Sequence, residues 1–287
     1  MTSTQQPSAY AASGVSIEAG DRAVELMKEW VDKARRPEVV GGIGGFAGLF
    51  DATALKDYRR PLLATSADGV GTKVQIAQRM DVHDTIGYDL VGMLVDDLVV
   101  CGAEPLFMTD YIACGKVVPE RIASVVKGIA QACAEAGTAL LGGETAEHPG
   151  LLHPDEYDVA GSTTGVVEAD ALIGAELVRP GDVVVAMASS GLHSNGYSLV
   201  SVRIDRSTWT RPAIFDLVSD LGEVSQHDLE EALNIGVGMV ALVDPDDADA
   251  AVRLLGEHGV QAWVAGEVAE AGGHGPGGTV TLENRHA

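Results

Sequence analysis

The sequence predicts a mixed α/β (α+β) protein of two domains. Short apolar runs such as Pro61-Leu62-Leu63-Ala64-Thr65 and Val183-Val184-Val185-Ala186 alternate with longer stretches of helical periodicity in both halves. A length of 287 residues fits one large domain or two of ordinary size. An apolar run ends near Glu168, and Arg179-Pro180-Gly181-Asp182 follows as a turn signal. The expected division is therefore 1–168 and 169–287. No repeat of fixed period is present.

Residues 1–19 read as a polar lead-in. Over 20–34, Ala23, Leu26, Met27, Trp30 and Val31 form one apolar helical stripe, so Trp30 reads as core. The glycine-rich stretch 41–48 contains Gly42-x-Gly44-x-x-Ala47, a spacing that superficially matches a dinucleotide fingerprint. A helix and the break Arg35-Arg36-Pro37 precede it instead of a strand, which rejects that reading and leaves a flexible glycine loop near a ligand. A helix over 84–101 carries Ile86, Leu90, Met93, Leu94 and Leu98, with Asp96 and Asp97 near its end. Adjacent helical residues point about 100° apart, so one of the two acids can face water and the other a site. A strand at 105–113, a helix at 119–136 and a strand from Ala139 follow. In the second half the pattern predicts strands at 183–186, 237–243 and 260–268 and a helix at 246–258. The glycine-rich end from Ala271 reads as frayed.

Composition narrows the function. At 46% apolar and 5% aromatic, the core must be built from Val, Leu, Ile and Ala. A formal charge of −23 argues against nucleic acid and anionic membrane as partners, but not against a nucleotide held by local positive charge and a metal. Cys101, Cys114 and Cys133 form no Cys-x-x-Cys pair, and free buried thiols suit a reducing, cytoplasmic setting. No apolar run approaches the length of a membrane span.

The chemistry concentrates in three places. Asp68-Gly69-Val70-Gly71-Thr72-Lys73 follows the run at 61–65 and reads as a loop leaving a strand. There Asp68 could hold a hard cation, Lys73 could neutralise phosphate, and Gly69 and Gly71 permit close backbone approach. The order Gly-Thr-Lys is not that of the common phosphate loop, and composition alone reads equally well as a plain glycine turn. Gly142-Gly143-Glu144 repeats the arrangement of an acid after a strand and glycines, so Asp68, Glu144 and one helical Asp could converge on a divalent cation. Ser189-Ser190-Gly191-Leu192-His193-Ser194-Asn195-Gly196-Tyr197 follows another strand. It places a histidine among hydroxyls and an amide, where a helix beginning near Asn195 could bind an anion.

These stretches together resemble the aminoimidazole ribonucleotide synthetase family, also called phosphoribosylformylglycinamidine cyclo-ligase. Its motifs are matched by Gly14–Gly20, by Arg36-Pro37-Glu38-Val39 running into 41–46, and by 68–73. They are matched again by His83–Gly87, Gly102–Phe107, 142–147, 189–199 and Asn234-Ile235-Gly236-Val237-Gly238-Met239. Their joint occurrence in order, over nearly the whole chain, is specific. The resemblance implies two α/β domains, a homodimer whose barrel is formed by N-terminal-domain strands, and ATP with Mg²⁺. It implies ATP-driven closure of the imidazole ring of formylglycinamidine ribonucleotide, with release of ADP and phosphate.

By the same resemblance, Asp68, Asp97 and Glu144 are metal-site residues. Gly42, Gly44, Gly45, Asp68, Gly69, Gly71, Thr72, Lys73 and Asp97 are nucleotide contacts. Glu144, Ser190, His193, Ser194 and Asn195 are substrate contacts, and His193, Asp68 and Lys73 are catalytic, His193 as the acid–base candidate. Other ATP-using enzymes of the superfamily, such as thiamine-phosphate kinases and selenophosphate synthetases, share acidic sites and glycine loops but not this whole set.

Three departures stand out. Asp96 replaces a family Asn beside Asp97, adding negative charge. Ala11 stands where the family has Lys after Tyr10. Near 201–202 the second domain lacks a block of roughly 70 residues relative to a family-sized chain. A true deletion would remove helices and a strand from that domain and part of the substrate site, which favours a nucleotide-binding module without turnover. A segment that the protein has beyond these 287 residues would leave the enzyme whole, and this is the preferred expectation. Intact mass spectrometry separates the two: the expected value lies above 29.7 kDa, and a value at 29.7 kDa means a true deletion.

Overall fold

The computed structural model describes residues 16–42, 45, 47–193, 202–270 and 280–286. It forms two compact units, Met1–Ile173 and Gly174–Ala287, against the expected break between 168 and 169.

The first unit contains helix α1 (Ile17–Lys33), a short hairpin of β1 (Val39–Val40) and β2 (Leu49–Phe50), and strand β3 (Pro61–Gly69). Helices α2 (Val74–Met80) and α3 (Ile86–Val99), strand β4 (Glu104–Cys114) and helix α4 (Pro119–Ala136) follow. Strands β5 (Ala139–Glu147) and β6 (Tyr157–Glu168) complete it. Four strands make one sheet in the order β3-β6-β4-β5, antiparallel except for the parallel pair β4–β5. The helix ends follow local chemistry. The Ser16 side chain accepts from Ala19 N at 3.2 Å to cap α1, and α4 opens on Pro119 and stops at Gly137 with φ +69.

Helix α3 lies across β3 and β6, α4 packs beside it, and α1 packs on α4. Leu90, Leu94 and Leu98 recur every fourth residue of α3 and are essentially fully buried, with Met108 and Ile112 of β4 beneath the same layer. Burial of side chains of this size stabilises by about 1.5–3 kcal/mol each. The two helices meet backbone to backbone. A side chain at Gly87 would collide with Gly128 and Ile129, so glycine there permits the close approach that fixes α3. The opposite face of the sheet is open, with Leu63 63% and Tyr111 41% exposed.

The sequence-predicted loop after Thr65 is instead strand. Pairing of β3 with β6 runs in unbroken register from Pro61↔Glu168 to Gly69↔Ala160, so Asp68 and Gly69 lie inside the ladder. Glu144 likewise lies within β5, paired with Tyr111, rather than after a strand. In both cases inter-strand hydrogen bonding outweighs the turn preference of Asp and Gly.

The second unit contains β7 (Val183–Ala188), β8 (Val202–Asp205), α5 (Ala213–Gly222) and α6 (Gln226–Ala232). Then come β9 (Val237–Val243), α7 (Ala248–Glu257), β10 (Ala262–Val268) and β11 (Val280–Glu283). Its sheet order is β11-β8-β10-β7-β9. The end expected to fray from Ala271 contains β11, which pairs in parallel with β8 from Val280↔Val202 to Glu283↔Asp205. A cavity of about 570 Å³ opens on this sheet, with Ala186, Val237 and Ala265 among its apolar lining, Trp209 beside them, and the Arg206–Glu230 pair at its edge.

One acid is buried in the first unit. Asp110 of β4 faces the helices between Met108 and Ile112, and burial pushes its carboxyl up to about 7. Below the ordinary value of 3.8, folded and unfolded chains are both protonated and the fold carries no ionic penalty. As pH rises the unfolded chain ionises first, so stability falls until pH passes about 7. The whole effect is roughly 4 kcal/mol. Asp110→Asn is expected to flatten this slope and to raise the urea midpoint at pH 8 relative to wild type. Equal pH dependence in the two proteins would refute it.

Candidate functional site

In the first unit the sheet register builds a row across three strands and into a fourth. Asp68 faces Gly161 of β6, Gly161 faces Asp110 of β4, and Asp110 faces Gly143 of β5. A side chain at Gly143 would collide with the Asp110 carboxylate, so the absence of a Cβ there makes the room that the buried acid occupies.

Beyond Gly69 the chain makes a tight 3-10 turn, Gly71–Lys73, with Gly71 at φ +69, and runs directly into α2. The Asp68 carboxylate accepts from Gly69 N at 2.7 Å. Helix α3 reaches this polar stretch twice. Ser66 Oγ donates to Asp97 Oδ2 at 2.7 Å, and Lys73 Nζ donates to Asp89 Oδ1 at 2.6 Å. The structure thus lines Asp68, Thr72, Lys73 and Asp97 along β3, the turn after it and the facing side of α3, with Lys73 against the N-terminal end of that helix and Asp97 near its C-terminal end. Asp96 and Asp97 divide as adjacent helical residues should. Asp97 is exposed, while Asp96 is half-buried and its carboxyl is held above the usual range by burial and by the neighbouring Asp97 charge.

Other expected members lie elsewhere. Glu144 is the neighbour of Gly143 in β5, so it projects from the opposite, open face of the sheet, beside Tyr111. Among the described residues no group of three or more His, Cys, Asp or Glu is placed to hold a metal. The expected meeting of Asp68, Asp97 and Glu144 on one ion is therefore not met within a chain, because strand alternation sends Glu144 to the other face. The glycine loop is also displaced from β3. Its hairpin packs over β4 and β5, with Phe50 5.2 Å from Phe107 and Gly48 against Leu141. A side chain at Gly42 or Gly45 would meet neither Asp68 nor Lys73. Gly44 lies outside the described residues.

In the second unit the segment after β7 is held by the turn before β9. Asn234 is 4% exposed. Its Oδ1 accepts from His193 N at 3.1 Å, and its Nδ2 donates to the carbonyls of Gly191 and Val237, each at 3.1 Å. Ser189 N donates to Gly236 O at 2.9 Å. One buried amide therefore fixes the backbone that presents His193, while Ser190 is exposed. Ser194, Asn195 and the helix expected there lie outside the described residues.

Sequence reasoning did not single out Asp89, Asp110 or the anchoring role of Asn234. Asp110 had a readable signal. It shares the parity of Leu106, Met108 and Ile112, which places an acid on the inward face of a strand.

Two family models match the chain: the N-terminal domain of AIR synthase related proteins over residues 51–167 and the C-terminal domain over 200–277. The phosphoribosylformylglycinamidine cyclo-ligase of Geobacillus kaustophilus is 42% identical, covering 92% of this chain and 96% of the relative. That of Anaeromyxobacter dehalogenans is 41% identical over 93% and 96%. This chain belongs to the phosphoribosylformylglycinamidine cyclo-ligase family. The first alignment runs over 335 positions while using 92% of a 287-residue chain, so about 70 of its positions fall opposite gaps in this chain.

Solved structures share the fold at low identity. Thiamine-monophosphate kinase from Stenotrophomonas maltophilia has a TM-score of 0.64 at 14% identity, covering 91% of this chain and 97% of that one. The hydrogenase maturation protein HypE, solved in complex with ATP, has a TM-score of 0.62 at 16% identity, covering 94% and 93%. The family's two-domain α/β architecture, expected from the motifs, is therefore present.

The row through Asp110 gives a direct structural test. Gly143→Ala forces a methyl group into the Asp110 carboxylate and is expected to cost about 1–3 kcal/mol, read as a lower urea midpoint. An unchanged midpoint would show that the acid has room to move.

Proposed function

We propose that this chain uses ATP to close the imidazole ring of formylglycinamidine ribonucleotide, giving 5-aminoimidazole ribonucleotide, ADP and phosphate in purine biosynthesis. The observation that carries this is the 42% identity to a named cyclo-ligase across 92% of the chain. The setting is cytoplasmic. Among the described residues no helix is long and apolar enough to cross a membrane.

The chemistry needs a poor leaving group converted to a good one. The amide oxygen of the substrate attacks the γ-phosphorus and ADP departs. An internal nitrogen then attacks the activated carbon, loses a proton, and phosphate leaves with the former amide oxygen. Lys73 and the Thr72 hydroxyl contact the phosphates, and Gly69 and Gly71 let the backbone approach them. His193, presented by Asn234, is the acid–base residue that moves the nitrogen proton, with Ser190, Ser194 and Asn195 as substrate contacts.

The donor set fits Mg²⁺. Asp68, near the end of β3, and Asp97 of α3, hydrogen-bonded to Ser66 of the same strand, are hard carboxylate ligands, and Mg²⁺ is commonly held by one or two carboxylates together with substrate phosphates rather than by a protein cage. When bound, the ion neutralises triphosphate charge.

The reading includes a homodimer. Asp68, Lys73 and Asp97 sit at the β3 side of the sheet, while Glu144 sits at the β5 edge, with the β1–β2 hairpin against β4 and β5. A two-fold pairing of β3 with the β5 of a second copy closes a barrel over the open face, covers Leu63 and Tyr111, and sets the β3 edge of one chain beside the β5 edge of its partner.

Release of ADP dependent on formylglycinamidine ribonucleotide measures the activity. Asp68→Asn is expected to lower Mg²⁺-dependent kcat/KM by about 100-fold or more, on the scale of a lost charge contact. Unchanged activity removes Asp68 from the metal site. Tight ATP binding by the wild-type chain without any turnover would instead support the binding-module reading that the gap of about 70 positions favours. For the dimer, co-refolded Asp68→Asn and Glu144→Gln chains should recover about a quarter of wild-type activity, because half of randomly paired dimers carry one site free of both substitutions. No recovery would place each site within a single chain.

A further inference from the structure

The Lys73–Asp89 contact does more than join two surface charges. Lys73 Nζ and Asp89 Oδ1 are 2.6 Å apart, with the Lys side chain 32% and the Asp side chain 16% exposed. A charge-assisted hydrogen bond shielded to this degree keeps more of its strength than a solvated pair. Asp89 lies in the first turn of α3, where the helix dipole favours a carboxylate. That helix is fixed at this end by the Gly87–Gly128 contact and by buried Leu90. Eight residues on, about 12 Å along the axis, the same helix holds Ser66 through Asp97. The flexible lysine on the 71–73 turn is thereby held against a rigid wall, and that wall also carries a carboxylate proposed to hold the metal ion.

We propose that Asp89 is a positioning residue for the phosphoryl-transfer step: it holds the Lys73 ammonium in the orientation required by the reacting triphosphate. This rests on the reading of Lys73 as a phosphate contact. The side chain of Lys has a long flexible stem, and its rotamer freedom must be removed before the ammonium can serve a defined oxygen. Asp89 removes that freedom in advance, so the cost is not met at the transition state. Asp89 also places a negative charge near the triphosphate, which weakens ground-state attraction. The two effects have opposite consequences for binding and for rate, and this separates a positioning role from a merely structural one.

The test uses the full chain, with ATP and formylglycinamidine ribonucleotide as substrates. Asp89→Asn is expected to lower kcat about tenfold, while KM for ATP stays the same or falls. Asp89→Glu, which keeps the charge, should recover part of kcat. Lys73→Met should lower kcat by at least as much, and adding Asp89→Asn to it should cause no further loss, because the aspartate acts through the lysine. Urea midpoints and far-ultraviolet circular dichroism report whether each variant folds as wild type does. A wild-type kcat in Asp89→Asn beside an impaired Lys73→Met overturns the proposal. So does a further fall in the double variant, or a parallel loss of kcat and stability that Asp89→Glu does not relieve. A wild-type Lys73→Met would instead overturn the underlying reading of Lys73.

Discussion

The packing of α3 across β3 and β6 is the constraint on which the first unit depends. Leu90, Leu94 and Leu98 are spaced to lie along one side of the helix and are buried to within 1% of fully, so the helix can neither rotate nor slide without opening voids. A rotation of one residue would lose several kcal/mol of apolar burial. The polar residues of the same helix inherit that rigidity. Asp89 and Asp97 sit near its two ends, each hydrogen-bonded to a residue of β3 or of the turn after it. The core stripe thereby converts a hydrophobic constraint into the placement of two carboxylates, and the Gly87–Gly128 approach supplies the depth that lets the stripe seat.

Against that background, the buried Asp110 is a cost placed inside the best-packed layer of the molecule. Leu, Met or Ile would satisfy the packing at its position, as Met108 and Ile112 do on either side of it. Cys133, in the same core, has its thiol pushed up first by burial and then by the Asp110 charge. An acid retained where its ionised form is this unfavourable is the pattern found more often at functional sites than in plain scaffolding. Its row neighbours sharpen the point. Asp68 lies two strands away in the same register, and the intervening Gly161 places no Cβ between them. Of the glycines in this row, Gly143 makes room for the Asp110 carboxylate and Gly161 for Leu94 of α3.

How far the fold was legible depended on whether the deciding interaction was local. Helices α3 and α4 were readable because their apolar periodicity, the proline at 119 and the glycine at 137 are all short-range signals. The polar ends of β3 and β5 were not. Asp68, Gly69 and Glu144 resemble loop residues, and only pairing with strands that lie far along the chain makes them strand. Strand β11 is a further case, since its partner β8 lies 78 residues earlier at Val280↔Val202. The same division runs through the site. The cluster at 68–73 and its neighbour Asp97 were visible as chemistry in sequence. The face to which Glu144 points was hidden, because it depends on a register irregularity between Met108 and Thr109 as well as on alternation. Asp89 was invisible for the same reason: a lone acid in a helix acquires meaning only when the lysine opposite it is known.

The second unit is built on a different balance. The buried clusters on its sheet contain three residues each, Val184, Val202 and Val268 in one and Ala186, Val237 and Ala265 in another, whereas the main cluster of the first unit spans α1, α2, α3, α4 and three of its four sheet strands. Polar ties also hold the second unit. The Asn234 amide makes three hydrogen bonds from a position 4% exposed, and Arg206 grips both oxygens of Glu230 at 2.9 and 3.1 Å. Such networks specify geometry well but add little net stability per contact, since each bond replaces one made with water. An open cavity of about 570 Å³ on the same sheet removes dispersion contacts that a filled core would supply. The segment that presents His193 is tied to the polar network through Asn234, and Leu192 beside it packs on the buried cluster of Phe215, Leu229 and Ile235, so the geometry of the proposed acid–base residue depends on both that network and the apolar packing of the second unit.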